Sequence, residues 1–142
     1  MSTNLAASIH ARLLNRAKQR QEDFNLTLTR YAVERFLYRL SWMPAGKNYC
    51  LKGALLFDLW FDVPHRPTRD ADLLGFGSRD VDVLADTLRE ACAIQDEDGM
   101  AFDATTLKFA RKPATADCAP GWWALWERHA APCNWISATA MP

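Results

Sequence analysis

A glycine turn followed by two closely spaced aspartates is the feature that most constrains how this chain can fold. Residues 49–51 form a short apolar run that leads through Gly53 into a helical pattern, and residues 69–75 form a second apolar run that contains Asp70 and Asp72. Because side chains alternate between the two faces of a strand, the two carboxylates are expected on one face, about 6–7 Å apart. The sequence therefore predicts a strand, a sharp turn into a helix, and a second strand that carries two acids.

Two carboxylates on one face of a strand are suited to binding divalent cations. Magnesium takes oxygen ligands and keeps substrate phosphates in its coordination shell, and two such ions about 3.5–4 Å apart hold both ends of a phosphoryl displacement. We therefore predict that Asp70 and Asp72 are metal ligands and catalytic residues for nucleotidyl transfer. The alternative is an acidic strand end that only faces solvent.

The turn before the helix has the residue types of a phosphate-binding element. Gly53 lets the backbone approach phosphate oxygens, and the helix that begins at Ala54 offers unpaired N–H groups at its positive end. Lys52 is expected either to neutralise phosphate or to be solvated. We predict a nucleotide-binding turn at Lys52, Gly53 and Ala54, with an ordinary strand-to-helix turn as the alternative.

The loop before the aspartates carries further candidate ligands. Thr68 lies two residues before Asp70 and is expected to bond the loop or the nucleotide. Arg66 and Arg69 are predicted to contact phosphate or RNA, because a guanidinium fork matches phosphate geometry. His65 is interpreted as a loop histidine rather than a metal ligand.

The composition is that of a globular domain or part of one. The chain has 142 residues, of which 49% are hydrophobic and 24% charged. No apolar run approaches the roughly 18 residues that a membrane span needs, and the amino terminus lacks the pattern of a signal peptide, so a cytoplasmic protein without a membrane partner is expected. The four cysteines show no C-x-x-C spacing, which favours free thiols over a zinc site or disulfides.

Charge is distributed unevenly along the chain. The first 40 residues hold seven Lys and Arg against three acids, whereas residues 76–99 hold two basic and seven acidic side chains. A basic amino-terminal face is suited to a polyanion, and the alternative is an ordinary solvated helix surface.

The spacing of apolar residues predicts the remaining elements. Helices are expected over residues 4–20, 25–41, 54–61 and 78–94, with Asn4 and Ser78 at two of their starts. Residues 100–104 and 106–110 are predicted as a strand pair. Residues 113–142 contain three charged side chains and four of the six tryptophans, and their pattern fits neither helix nor strand, so disorder is expected there.

The glycine turn and the aspartate strand together resemble the AbiEii/AbiGii family of abortive-infection toxin nucleotidyltransferases. Residues 52–56 (KGALL) are similar to the family's KGG/KGA-x-L element, and residues 68–72 (TRDAD) match its T/S-x-D-x-D strand. The resemblance extends from about residue 4 to residue 107. It implies an α+β (α/β) fold in which helices flank a mixed sheet, here incomplete, with residues 1–112 as the amino-terminal part of the domain.

The resemblance also implies an activity and its partners. Family members use Mg²⁺ to transfer a nucleoside monophosphate from a nucleoside triphosphate to an acceptor, which for several of them is tRNA, and they are paired with an antitoxin. The family places a third acid on a neighbouring strand within L-G-x-A-R-x-P-x-Q-L-D, and this chain lacks that pattern. Whether the chain is an enzyme is therefore left open, with an inactive truncated remnant that binds nucleotide weakly, or a small helical interaction module, as alternatives.

The missing pattern is encoded in another reading frame of the tail. In this frame, each new codon consists of the last base of one codon and the first two bases of the next. The codons of Cys133 and Asn134 then give glutamine or a stop, and those of Asn134 and Trp135 give leucine. The codons of Trp135 and Ile136 give GAT, which encodes aspartate. Residues 125–130 permit L-G-(K/T)-A-R in the same frame. We therefore predict a frameshift between about residues 108 and 118, after which the chain is out-of-frame.

Overall fold

The computed structural model describes residues 3–61, 70–78, 80–112, 121–128 and 131–140. The helices in these ranges are α1 (Thr3–Arg20), α2 (Phe24–Trp42), α3 (Ala54–Trp60) and α4 (Val81–Ala93). The strands are β1 (Tyr49–Lys52), β2 (Ala71–Gly75), β3 (Leu107–Lys112), β4 (Gly121–Arg128) and β5 (Ala131–Ala140). Two 3₁₀ turns lie at Pro44–Asn48 and Ala104–Thr106.

The first two helices pack against each other across a tight connection. The chain turns at Gln21, whose φ of +53° is left-handed, and Asp23 then caps α2 by accepting a hydrogen bond from the Leu26 N–H at 3.0 Å. Leu13 and Ala17 are the residues of α1 that are buried against its neighbours. Their spacing of four residues is the helical spacing that predicts this element.

Two helix starts differ from the sequence prediction. Helix α1 already includes Thr3 and Asn4, so Asn4 does not cap it. Helix α4 starts after Asp80, whose side chain accepts from the Asp82 N–H at 3.0 Å, while the hydroxyl of Ser78 accepts from the Asp80 N–H at 3.1 Å. Serine and aspartate are both common N-cap residues, and here Asp80 rather than Ser78 is the N-cap of α4.

The five strands form one mixed sheet in the order β1-β2-β5-β4-β3. Strands β2 and β5 are parallel, and the other neighbouring pairs are antiparallel. Helices α2 and α4 supply most of the helical side of the core. The expected α+β fold with helices packed on a mixed sheet is confirmed.

The hydrophobic core lies between the sheet and helices α2 and α4. Phe36 of α2 and Leu88 of α4 are almost completely buried, and Phe36 meets Phe102 edge to face with 5.6 Å between the ring centroids. The side chains of β2 alternate between the two faces of the sheet, and those of Ala71 and Leu73 are buried in this core. The alternation leaves Asp72, which lies between them, on the opposite face of the sheet.

A buried ion pair ties α2 to the segment before β3. The Nη2 of Arg39 donates to Oδ1 of Asp98 and to the carbonyl of Met100, each at 2.9 Å, and its guanidinium lies 4.3 Å from the centroid of the Phe102 ring. Arg35 approaches the other oxygen of Asp98 at 3.7 Å. Arg39 is fully buried, so this pair is enclosed by the core rather than screened by water.

The predicted strand pair over residues 100–104 and 106–110 is present only in its second half. The carboxylate of Asp103 accepts from the N–H of Thr105 at 2.9 Å and from its hydroxyl at 2.6 Å. This local turn replaces the first strand, and the extended run begins at Leu107, where β3 pairs with β4 rather than with the preceding segment.

The last two strands lie in the part of the chain where the sequence predicts disorder. Strand β5 pairs with β2 and β4 joins β5 to β3, so the backbone of both is hydrogen-bonded within the sheet. Backbone pairing needs no side-chain periodicity, and the free side of β2 offers an edge for it. The domain boundary at residue 112 stays a prediction, and residues 113–120, 129–130 and 141–142 lie outside the described residues.

None of the helices in the described part of the chain is both long and apolar enough to span a membrane.

Candidate functional site

The glycine turn connects β1 to α3. Strand β1 ends at Lys52, and Gly53 adopts φ +82° and ψ −159°, which an L side chain rarely adopts. The Gly53 carbonyl accepts from the Leu56 N–H at 3.2 Å, so the first turn of α3 closes directly onto it. Glycine is therefore required here by the backbone alone.

Pairing of the first two strands brings the glycine turn to the aspartate strand. Strand β1 runs antiparallel to β2, with Tyr49 opposite Gly75 and Lys52 opposite Asp72. The end of β1 and the start of β2 therefore lie side by side. The two sequence elements from which the site was predicted, separated along the chain, meet at this point of the sheet.

The contact between Gly53 and Asp72 is closer than any other residue type would allow. A β-carbon on Gly53 would lie 2.5 Å from Oδ2 of Asp72 and 3.2 Å from its Cβ and Cγ. The carboxylate thus packs against the bare backbone of the turn. A group bound at this carboxylate would have the peptide backbone of the turn beside it.

The two aspartates differ in exposure. Asp70 directly precedes β2 and is exposed, whereas Asp72 lies within the strand and is half-buried. Carboxylate oxygens are the donors that Mg²⁺ prefers, so the pair fits that ion chemically. Within the described ranges, no three side chains of His, Cys, Asp or Glu come together as a metal-binding group.

The strands on either side of β2 bring no further acid to this point. Strand β1 reads Tyr-Cys-Leu-Lys, and β5 reads Ala-Pro-Cys-Asn-Trp-Ile-Ser-Ala-Thr-Ala. On β5, Ile136 is the register partner of Ala71 and Ser137 is the register partner of Asp72. On the β5 side, the positions paired with Ala71 and Asp72 are therefore occupied by residues that carry no charge.

The other predicted site residues fall into two groups. Lys52 and Ala54 flank the glycine turn and are half-buried, so both belong to the same corner of the sheet as Asp72. Arg66, Thr68 and Arg69 lie outside the described residues. Their predicted roles in binding phosphate or RNA stay predictions.

Two features near the site were not predicted from the sequence. The pairing of Lys52 with Asp72 depends on strand register, which local residue patterns do not encode. Helix α3 also carries an exposed aromatic cluster, in which the Phe57 ring lies 6.3 Å from that of Trp60 and 6.2 Å from that of Phe61. The sequence signal for this cluster is the recurrence of aromatics at helical spacing on a short helix.

Cys50 and Cys92 do not contribute a reactive group to this corner. Burial raises the pKa of the Cys92 thiol to about 11, so this residue remains a protonated core side chain at neutral pH. Cys50 is exposed on β1, where its register partner is Leu74 rather than an aspartate. Neither thiol is placed for nucleophilic catalysis beside Asp72.

Comparison with known proteins identifies a family. The family model described as "Nucleotidyl transferase AbiEii toxin, Type IV TA system" matches residues 35–116, which include the glycine turn and both aspartates. No curated protein matches the chain at a significant level. The family match covers more than half of the chain and confirms the resemblance found in the sequence.

Proposed function

Because this chain belongs to the AbiEii nucleotidyl transferase toxin family of type IV toxin–antitoxin systems, we propose that it transfers a nucleoside monophosphate from a nucleoside triphosphate to an acceptor such as tRNA. An acceptor hydroxyl oxygen forms a bond to the α-phosphorus, and the bond from that phosphorus to the oxygen bridging the β-phosphate breaks. Pyrophosphate leaves, and the hydroxyl proton passes to solvent. The expected protein partner is a cognate antitoxin.

The observation that carries this proposal is the contact between Gly53 and Asp72. A carboxylate for a cation and a glycine turn that can offer its backbone to phosphate lie side by side, with Lys52 as the register partner of Asp72. A nucleoside triphosphate needs all three kinds of contact, since its phosphates carry several negative charges beside the reacting centre. Helix α3 has only seven residues, so the close backbone approach, rather than the helix dipole, is the basis of the phosphate assignment.

Asp70 and Asp72 are the residues that would hold Mg²⁺. When bound, the ion would neutralise phosphate oxygens and lower the pKa of an attacking hydroxyl. Lys52 would add a point charge to the phosphates, and Gly53 and Ala54 would let the backbone approach them. Arg66, Thr68 and Arg69 are proposed as further phosphate or RNA ligands from their place in the sequence.

Label transfer tests the activity directly. The full chain is incubated with α-³²P-labelled nucleoside triphosphates, Mg²⁺ and total tRNA, and label is expected in the RNA. Asp70→Asn and Asp72→Asn should each lower the rate by at least about a hundredfold, while the matched change Asp86→Asn on the exposed face of α4 should leave it unchanged. Absence of transfer at high protein concentration would contradict the proposed activity.

A catalytically inactive relative of the family is the second candidate function. The observation that favours it is that β1 and β5, the two strands beside β2, carry no acid. Two carboxylates would then bind a nucleotide weakly with Mg²⁺ but leave the attacking hydroxyl without activation. Titration calorimetry with a nucleoside triphosphate and Mg²⁺ separates the candidates, because this one predicts weak binding that Asp72→Asn abolishes, together with no label transfer.

The uncharged strand β5 is proposed to be out-of-frame sequence within residues 113–142. The frame one base away encodes aspartate across the codons of Trp135 and Ile136, on the strand that pairs with β2. Sequencing the gene tests this proposal. A displaced frame that encodes Gln-Leu-Asp without interruption supports it, and a stop codon at that place contradicts it.

A helical interaction module is the third candidate, and exposed aromatics favour it. Tyr38 and Trp42 on α2 lie edge to face with 4.9 Å between their centroids, and both are exposed. A partner complex recovered with the wild-type chain should persist in Asp70→Asn and Asp72→Asn and be lost in Trp42→Ala. Loss of the complex on the aspartate changes would exclude a role independent of the site.

A further inference from the structure

A cleft between α1 and α2 brings together three arginines far along the chain from the aspartate site. The side chains that line it are Leu13, Arg16, Arg20, Glu22, Thr27, Arg30, Tyr31 and Glu34. Basic residues outnumber acidic ones on this wall, which gives the cleft a positive balance.

Three arginines of α1 form a stripe along one face of the helix. Arg12, Arg16 and Arg20 follow one another at intervals of four residues, so they lie on one face with a rise of about 6 Å per step. The helix contains no acidic residue, and like charges at this spacing destabilise a helix. Arg20 lies in the last turn, where the helix dipole favours a positive charge, so the repulsion between Arg12 and Arg16 is the cost that an external anion would offset.

The ion pairs of the cleft leave two of its arginines available. Arg30 donates to Glu22 at 2.6 Å, and both side chains are largely buried, so this pair forms part of the wall. In the described part of the chain, Arg16 and Arg20 have no ion-pair partner within 4.0 Å and are exposed. Their guanidinium groups can each present two parallel N–H donors to an incoming anion.

Thr27 provides an independent sign of a ligand at this place. The residue is 6% exposed, it lines the cleft, and its hydroxyl has no hydrogen-bond partner among the described residues. A buried hydroxyl without a partner is costly. The hydroxyl is itself closed off from solvent, so an anionic oxygen in the cleft would accept its hydrogen bond after rotation of the side chain about χ1.

We propose that this cleft binds the phosphodiester backbone of a nucleic acid strand. The arginines of α1 are equally spaced along the helix, which fits a ligand that carries one negative charge in each repeating unit. A phosphodiester chain has this property. An acidic peptide carries its charges on flexible side chains in irregular order and matches the stripe less well. The inference does not rest on nucleotidyl transfer, because none of the cleft residues belongs to the aspartate site.

Fluorescence anisotropy with a fluorescein-labelled oligouridylate tests the proposal on the full chain. Binding should weaken as salt rises, and Arg16→Ala and Arg20→Ala should each lower the affinity about fivefold and the slope of log K against log salt by about 0.7. Lys18→Ala is the matched control, because it removes one positive charge from the same helix outside the cleft. It should change the affinity less than about twofold.

Thr27→Val separates a binding role from a structural one. Removal of a buried hydroxyl that has no partner among the described residues should leave the unfolding midpoint unchanged or higher, while RNA binding weakens.

Equal weakening by Lys18→Ala and Arg16→Ala would overturn the cleft as the site, as would the absence of RNA binding at low salt. More effective displacement by polyglutamate than by unlabelled RNA would overturn the nucleic acid as the ligand. Asp70→Asn should bind RNA like the wild type, and loss of binding in that variant would overturn the independence of the two sites.

Discussion

Gly53 and Asp72 occupy one corner of the sheet, where the carboxylate of Asp72 fills the space that a side chain at position 53 would need. The β-carbon of any other residue would lie 2.5 Å from Oδ2 of Asp72, closer than nonbonded atoms approach. Since φ at this position is +82°, a substitution also meets backbone strain. Position 53 therefore combines a steric requirement with a conformational one.

Gly53→Ala should destabilise the fold and displace the Asp72 carboxylate. The combination of φ +82° and ψ −159° is essentially restricted to glycine, and strain there costs about 1–3 kcal/mol. The steric contact should add about 1–3 kcal/mol. Urea unfolding measures the loss. Gly77→Ala is the matched control, because Gly77 has φ +114° but a β-carbon there would meet no described atom within 4 Å, so it should show the backbone cost alone. Equal losses in the two variants would contradict the steric contact.

Asp98→Asn should be among the most destabilising single changes in the described part of the chain. It leaves the fully buried guanidinium of Arg39 without its carboxylate partner, and the loss of one member of a buried pair costs about 3–5 kcal/mol. Thermal unfolding followed by circular dichroism measures it. Asp86→Asn is the control, since the Asp86–Arg89 pair is exposed and should contribute less than about 1 kcal/mol.

The local residue patterns determine much more of the helices than of the sheet. Leu13 and Ala17 are buried as helical spacing predicts, and Gly53 turns the chain as its residue type predicts. Each of these depends on neighbours within one turn of chain. The helical half of the fold was therefore accessible from the sequence alone.

The pairing of distant segments was not accessible in the same way. Asp98 belongs to the acidic segment of residues 76–99 by sequence, yet it pairs with Arg39 in the core, because a helix surface and a distant loop meet only in the folded chain. The register that places Ser137 beside Asp72 is likewise a property of the assembled sheet. For the same reason, the cleft at Thr27 could be anticipated only as a basic amino-terminal segment.

Stability should fall in alkaline solution as a result of Cys92. Burial raises the pKa of this thiol from 9.0 to about 11, so the folded state keeps its proton to a higher pH than the unfolded chain does. Between these two values the unfolded state binds fewer protons, and its loss of protons favours unfolding as pH rises. Urea midpoints between pH 8 and about 11 should decline more steeply in the wild type than in Cys92→Ala. Cys50→Ala, which changes an exposed thiol, should decline like the wild type.

A carboxylate introduced on β5 should strengthen the metal site if the assignment of Asp70 and Asp72 is correct. Ser137 is the register partner of Asp72, and register partners share a face of the sheet, so Ser137→Asp places a third acid beside the pair. Tighter Mn²⁺ binding by calorimetry is expected, together with faster label transfer, because a third oxygen ligand completes the coordination of a hard cation. Ala138→Asp is the matched control, since its partner Leu73 faces the core and is 2% exposed. That change should destabilise the fold without tightening Mn²⁺ binding, and equal Mn²⁺ affinity in the two variants would place the metal away from Asp72.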